Sequence, residues 1–248
     1  MTAVILALIA GAVVGLALGG LGGGGGILAV PALIYLLGFT PAAAGSASLL
    51  IVAATSLTGL LAHARSGRVQ WRTGLLFAAA GLPTAAAFGA LSPHVPGTLL
   101  TMAFAVLAGL AAWRMLAPRR ATTPDRKAGV IKTAGIGACL GGVTGLLGVG
   151  GGFLAVPALI SILALTMAEA VGTSLLVISI NSVAALIPRL GSDMGIDWAV
   201  VGPFTGAAIL GAFDGKRLAH KLSGPVLQRT FVFALLGVAA FMALDVIV

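Results

Sequence analysis

The sequence predicts an all-α integral membrane protein made of two inverted-topology repeats. Each repeat holds about five apolar segments, with glycine-interrupted or re-entrant helices at equivalent positions. Three observations predict this. The 248-residue chain is 59% hydrophobic and only 8% charged, with a mean hydropathy of +1.15. Soluble domains carry roughly 25% charged residues, and no soluble fold of this size could hide so much apolar surface. Next, a long motif occurs twice. Gly-Gly-Gly-Gly-Gly-Ile-Leu-Ala-Val-Pro-Ala-Leu-Ile starts at Gly22, and Gly-Val-Gly-Gly-Gly-Phe-Leu-Ala-Val-Pro-Ala-Leu-Ile starts at Gly148, an offset of 126 residues. Finally, equivalent loops of the two halves differ in basic charge. A β-barrel would require short alternating segments, and these are absent.

The segments run near residues 2–20, 26–38, 43–63, 72–91 and 97–117, then 131–147, 152–165, 169–188, 198–213 and 224–246. The first has no basic n-region and has a counterpart in the second half, so it reads as part of the mature fold and not as a cleaved signal. Its Gly11, Gly15 and Gly19 match Gly137, Gly141 and Gly145. A small residue at every fourth position lets helices approach closely in lipid. Segments two and seven are short, which is marginal for crossing ~30 Å of hydrocarbon at ~1.5 Å per residue. They begin directly after glycines, and Pro31 and Pro157, a turn in, suit a helix start. In segments three and eight, Ser48-Leu49-Leu50 matches Ser174-Leu175-Leu176, and Ser56 matches Ser182. After a one-residue shift Trp71 matches Trp198, Gly97 matches Gly224 and Phe104 matches Phe231. The repeats are therefore residues 1–118 and 131–248, joined by a cytoplasmic linker, 119–130.

Basic residues orient the repeats by the positive-inside rule. Arg65, Arg68 and Arg72 place the loop after segment three inside, whereas its mate, with Arg189, Asp193 and Asp197, reads as outside. Ser92–Pro96 has no Lys or Arg and reads as outside, and its mate, with Lys216, Arg217 and Lys221, reads as inside. The linker is rich in Arg and Lys and reads as inside. Equivalent loops lie on opposite sides, and both termini fall outside.

Several classes of function are excluded. The net charge of +8 sits in loops without interleaved aromatics, so no nucleic-acid surface is predicted. The single Cys139 cannot form an intrachain disulfide or a multi-cysteine metal site. None of the three His residues sits mid-segment beside a carboxylate, so neither a metal site nor a catalytic set is expected. No Gly-Lys-Ser/Thr follows the glycines, so no nucleotide loop and no cofactor are implied. Arg189 and its mate His63 are expected to reach a membrane interface by snorkelling.

The candidate site lies at the glycine breaks. A helix N-terminus offers free N–H donors and partial positive charge, which suits an anion. Glycine lets backbone N–H groups approach a ligand without an intervening Cβ. The expected binding residues are Gly24, Gly25, Gly26, Gly150, Gly151 and Gly152. Neutral donors come from the following helix of each half: Ser46, Ser48, Thr55 and Ser56, with Thr173, Ser174, Asn181 and Ser182. The pairs Ser48/Thr55 and Ser174/Asn181 are seven apart, two helical turns, and so lie near one face.

The doubled Gly-x-Gly-Gly-Gly-[Ile/Phe]-Leu-Ala-Val-Pro-Ala-Leu-Ile motif is followed in the second half by Gly172-Thr173-Ser174-Leu175. This pattern resembles the TauE/SafE family of sulfite exporters and anion permeases over nearly the whole chain. The first copy departs from it, with Gly45-Ser46-Ala47-Ser48-Leu49 at the equivalent place. The resemblance implies a multi-pass protein of the cytoplasmic membrane that transports sulfite, organosulfonates or related small anions. Its expected partners are a small anionic substrate and the lipid bilayer, with a homo-oligomer open. The same features would serve a passive anion channel or a carrier of small organic carboxylates.

Overall fold

The computed structural model describes residues 1–21, 26–116, 130–163, 165–191, 195–221, 229, 232–233 and 236–242. Gly24, Gly25, Asp193 and, apart from Val130, the linker 119–130 lie outside the described residues. Every regular element among them is helical. The order is α1 (Thr2–Leu21), α2 (Gly26–Pro31, continuing as a π-helical turn, Ala32–Leu36), α3 (Pro41–Ala64), α4 (Trp71–Leu91), α5 (Gly97–Leu116), α6 (Val130–Leu147), α7 (Gly152–Leu163), α8 (Met167–Leu186) and α9 (Trp198–Lys221). Residues 236–242 are again helical. Among the described residues four helices are long and apolar enough to cross a membrane: α1, α3, α4 and α8.

Local chemistry accounts for the boundaries. Thr40 and Thr166, 126 residues apart, cap α3 and α8, each accepting a hydrogen bond from the backbone three residues on. Glu169 returns the bond to Thr166, completing a capping box. One boundary departs from expectation. The hydropathy of segment nine stops near residue 213, but α9 continues to Lys221. Leaving the hydrocarbon ends the need for apolar side chains and leaves the backbone ladder intact. Pro31 and Pro157 also sit deeper than a helix start, inside α2 and α7. Lacking an N–H, proline breaks the regular ladder, and in the first half the π-helical turn follows it directly.

Helix pairing follows the glycine stripes. A Cβ placed on Gly11, Gly15 or Gly19 of α1 would collide with the carbonyl oxygens of Phe204, Ala208 and Ala212 in α9. Gly137, Gly141 and Gly145 of α6 face Phe77, Gly81 and Ala85 of α4 in the same way. The first helix of each half thus packs on the fourth helix of the other half. In both seams residue numbers rise together, so each pair runs parallel. Close backbone contact of this kind replaces the hydrophobic driving force that is missing within lipid.

At the centre lie α3 and α8, whose faces are mostly buried. They run antiparallel. Gly45 meets Arg189 and Gly59 meets Leu175, and Ser56 pairs with Ser179. Large apolar side chains such as Ile5, Leu61, Leu82 and Val106 remain exposed, which suits a lipid-facing surface. The repeat-mates Trp71 and Trp198 are exposed at the first residues of α4 and α9, where amphipathic rings favour the membrane–water boundary.

Candidate functional site

Gly26 and the second glycine break sit halfway along the central pair. A Cβ on Gly26 would come within 2.7 Å of Val149 O and 3.3 Å of a Val52 methyl. One on Gly150 would come within 2.5 Å of Val52, 3.1 Å of Ile178 and 3.3 Å of Ser182 Oγ. Val52 and Ile178 are repeat-mates in the middle of α3 and α8. The starts of α2 and α7 therefore meet beside the midpoint of the antiparallel pair. From there α2 returns to the start of α3, and α7 to the start of α8. Each covers about half a crossing.

Positive φ appears at Gly148 (70°), Gly150 (71°) and Gly151 (61°). Only glycine adopts this region without strain. The three residues turn the chain from the end of α6 into α7 without side chains in the way.

The expected binding residues separate into groups. Gly26, Gly150 and Gly152 lie at the meeting point or open its helices, and all three are buried. Gly151 faces elsewhere, against Thr144 Oγ1 and Leu140 O of α6. Ser48 lies one turn from Val52 and is fully buried, with no hydrogen-bond partner for its Oγ. Thr55 donates to its own helix at Ile51 O (2.6 Å) and Ser174 donates to Val171 O (2.8 Å). Serine and threonine commonly bond this way inside helices. Thr173 accepts from the Gln70 N–H (3.0 Å) and anchors the loop before α4. Asn181 points to the α4 seam, where a Cβ on Gly81 would meet its Nδ2 at 2.6 Å.

The seven-residue spacing singled out Asn181, but the spacing that faces the glycines is i, i+4, carried by Ile178 and Ser182. Ser182 is fully buried and its Oγ has no partner. Val52, Val149 and Ile178 were not expected here, because a single apolar residue in an apolar helix carries no distinguishing signal. Among the described residues no cluster of His, Cys, Asp or Glu could hold a metal, and Cys139 is exposed on α6.

Arg189 overturns the snorkelling expectation. It is 1% exposed, in the short 3₁₀ turn Ile187–Gly191 that follows α8. Its guanidinium donates to Ser46 Oγ (3.2 Å) and to Gly145 O. Gly145 belongs to the last turn of α6, where unpaired carbonyls carry partial negative charge. The cation therefore fastens the end of α6 to the first turns of α3, beside the break leading to α7. His63 is buried too, with Nδ1 3.0 Å from Gly59 O. We expect Arg189→Met to lower the melting temperature in detergent. The loss should match about 1.5–3 kcal/mol for hydrogen bonds to a charged group. Arg189→Lys should recover only part, since an ammonium lacks the planar fork. An unchanged melting temperature in Arg189→Met would show that the two bonds contribute nothing.

The geometry is one of paired broken segments inside a bundle of membrane helices, and the comparisons agree with it. The chain matches the family described as Sulfite exporter TauE/SafE over residues 7–242. A probable membrane transporter protein of Xylella fastidiosa (strain 9a5c) is 34% identical over 93% of this chain and 91% of its own length. The probable membrane transporter protein YunE of Bacillus subtilis (strain 168) is 27% identical over 92% of this chain and 90% of its own. No solved structure matches the chain. The chain belongs to the TauE/SafE family and is a multi-pass membrane transporter, not an enzyme.

Proposed function

We propose that the protein is a secondary carrier of small anions, sulfite or organosulfonates foremost, working in the cytoplasmic membrane by alternating access. Its two halves, residues 1–118 and 131–248, act as inverted-topology repeats. The antiparallel course of the repeat-mates α3 and α8 supports the inversion, as does the reciprocal packing of α1 on α9 and α6 on α4. A two-fold axis that makes two mates antiparallel lies across the helices, and hence in the membrane plane.

The observation that carries the reading is that Gly26 and Gly150 both lie against Val52, Gly26 also against Val149 and Gly150 against Ile178. Discontinuous helices converging near the midplane are how many carriers build a substrate site. Backbone N–H groups at the start of α7 and buried hydroxyls supply neutral donors there, so an anion is held without a fixed cation. The site is closed in this conformation, because its framing side chains Val52, Val149, Ile178 and Ser182 are fully or almost fully buried. Export follows from the membrane potential: moving one negative charge outward gains roughly 2.3 kcal/mol per 100 mV.

The test is counterflow in proteoliposomes. Vesicles loaded with unlabelled sulfite should transiently accumulate radiolabelled sulfite from outside, and methanesulfonate inside should substitute for sulfite better than acetate. Flux without counterflow would identify a channel. Acetate exchange exceeding sulfite exchange would identify a carboxylate carrier. No flux of any of the three would overturn the anion reading.

A further inference from the structure

The central helices carry one hydrogen bond whose twin is missing. Ser56 Oγ and Ser179 Oγ are 2.9 Å apart across the α3–α8 interface. Both also reach their own helices, at Ala53 O (3.2 Å) and Leu175 O (2.7 Å). The repeat-mate of Ser56 is Ser182, and the mate of Ser179 is Ala53. The antiparallel register that sets Ser56 beside Ser179 also sets Ala53, three residues earlier, beside Ser182, three residues later. The second bond therefore cannot form, because a methyl group stands where Ser179 has a hydroxyl. Ser182 Oγ is left fully buried and without a partner.

A buried hydroxyl without a partner is disfavoured, and such groups in a native structure call for an explanation. Ser182 Oγ has a definite neighbour: it lies 3.3 Å from the position a Cβ would take on Gly150. Gly150 stands two residues before Gly152, the first residue of the twelve-residue helix α7. The unpartnered hydroxyl thus lies against the glycine break that leads into the N-terminus of α7. Ser48 Oγ and Asn181 Oδ1 are also unpartnered, but neither is among the three nearest neighbours of a Cβ on Gly150.

We infer that Ser182, kept free by Ala53, is the hydroxyl that donates to an oxygen of the bound anion, and that the second half holds the ligand while the first half closes its own seam through Ser56. The two half-sites are then chemically unequal despite the repeat. This inference rests on the anion-carrier reading above.

Isothermal titration of the full chain in detergent with sulfite, methanesulfonate and acetate tests it. For the anion that wild type binds best, Ser182→Ala should weaken affinity about tenfold, the effect of one hydrogen bond to a charged ligand. Ala53→Ser should weaken it similarly by giving Ser182 a partner, with a melting temperature equal to or above wild type, which separates lost binding from lost fold. Ser56→Ala, which removes a seam bond and no ligand contact, should move affinity less than twofold while lowering the melting temperature. Wild-type affinity in both Ser182→Ala and Ala53→Ser would overturn the assignment and leave the anion reading standing. A tenfold loss in Ser56→Ala would overturn the inequality of the halves. A wild-type chain that binds none of the three anions would instead remove the anion reading, and this inference with it.

Discussion

Gly150→Val is expected to abolish counterflow while the protein still inserts and purifies. Two separate costs produce this. A side chain at φ 71° costs about 1–2 kcal/mol in the left-handed region. The new Cβ would also press on Val52 at 2.5 Å and Ile178 at 3.1 Å, and overpacking of this kind costs about 1–3 kcal/mol. Beyond stability, the bulk fills the approach to the start of α7. Gly38 provides the control. It has a φ of 72°, and a Cβ added there would meet no atom within 4 Å. Gly38→Ala should therefore show the backbone strain alone and keep its transport. Equal melting temperatures and equal flux for Gly150→Ala and Gly38→Ala would mean that the midpoint contact is not tight.

Gly141→Leu should be severely damaging, with Gly15→Leu matching it. A Cβ at Gly141 would collide with the backbone carbonyl of Gly81, and one at Gly15 with that of Ala208. Backbone cannot rotate aside as a side chain can. Each seam would have to separate along its length, and we expect a loss of about 3 kcal/mol or more, read as lower monodisperse yield and melting temperature. Gly202, also in α9, meets nothing within 4 Å. Gly202→Ala should leave the melting temperature unchanged or raise it, since alanine is the better helix former. A wild-type melting temperature for Gly141→Leu would refute the close packing of α6 on α4.

Much of the helical layout was legible in the residues. The starts at residues 26, 97, 152 and 198 agree with the structure, because glycines or a change of hydropathy mark them. The end of α9 was not legible, because hydropathy reports the membrane edge and not the end of hydrogen bonding. The candidate site was legible in part. Gly26 and Gly150 both lie against Val52, whereas Thr55 and Ser174 bond to their own helix and Thr173 accepts from the Gln70 N–H. Lone hydroxyls in a helix look alike in sequence, whatever they face. Arg189 misled for the same reason. Its number and neighbours place it near a segment end, but only the packing of α3 and α6 around it shows that it is buried.

The sequence by itself determined membrane residence, the doubled motif and the stripes of small residues, since all three are local or periodic patterns read along one chain. The tertiary structure decided which surfaces those stripes meet. Gly15 meets Ala208, and Gly141 meets Gly81, each in the opposite half. It also decided which buried hydroxyl stays free. Ser56 and Ser182 are equivalent in the repeat. The difference between them is the residue across the interface, Ser179 for one and Ala53 for the other. That pairing depends on the register of two helices more than a hundred residues apart, set by packing along their whole length, and no local pattern encodes it.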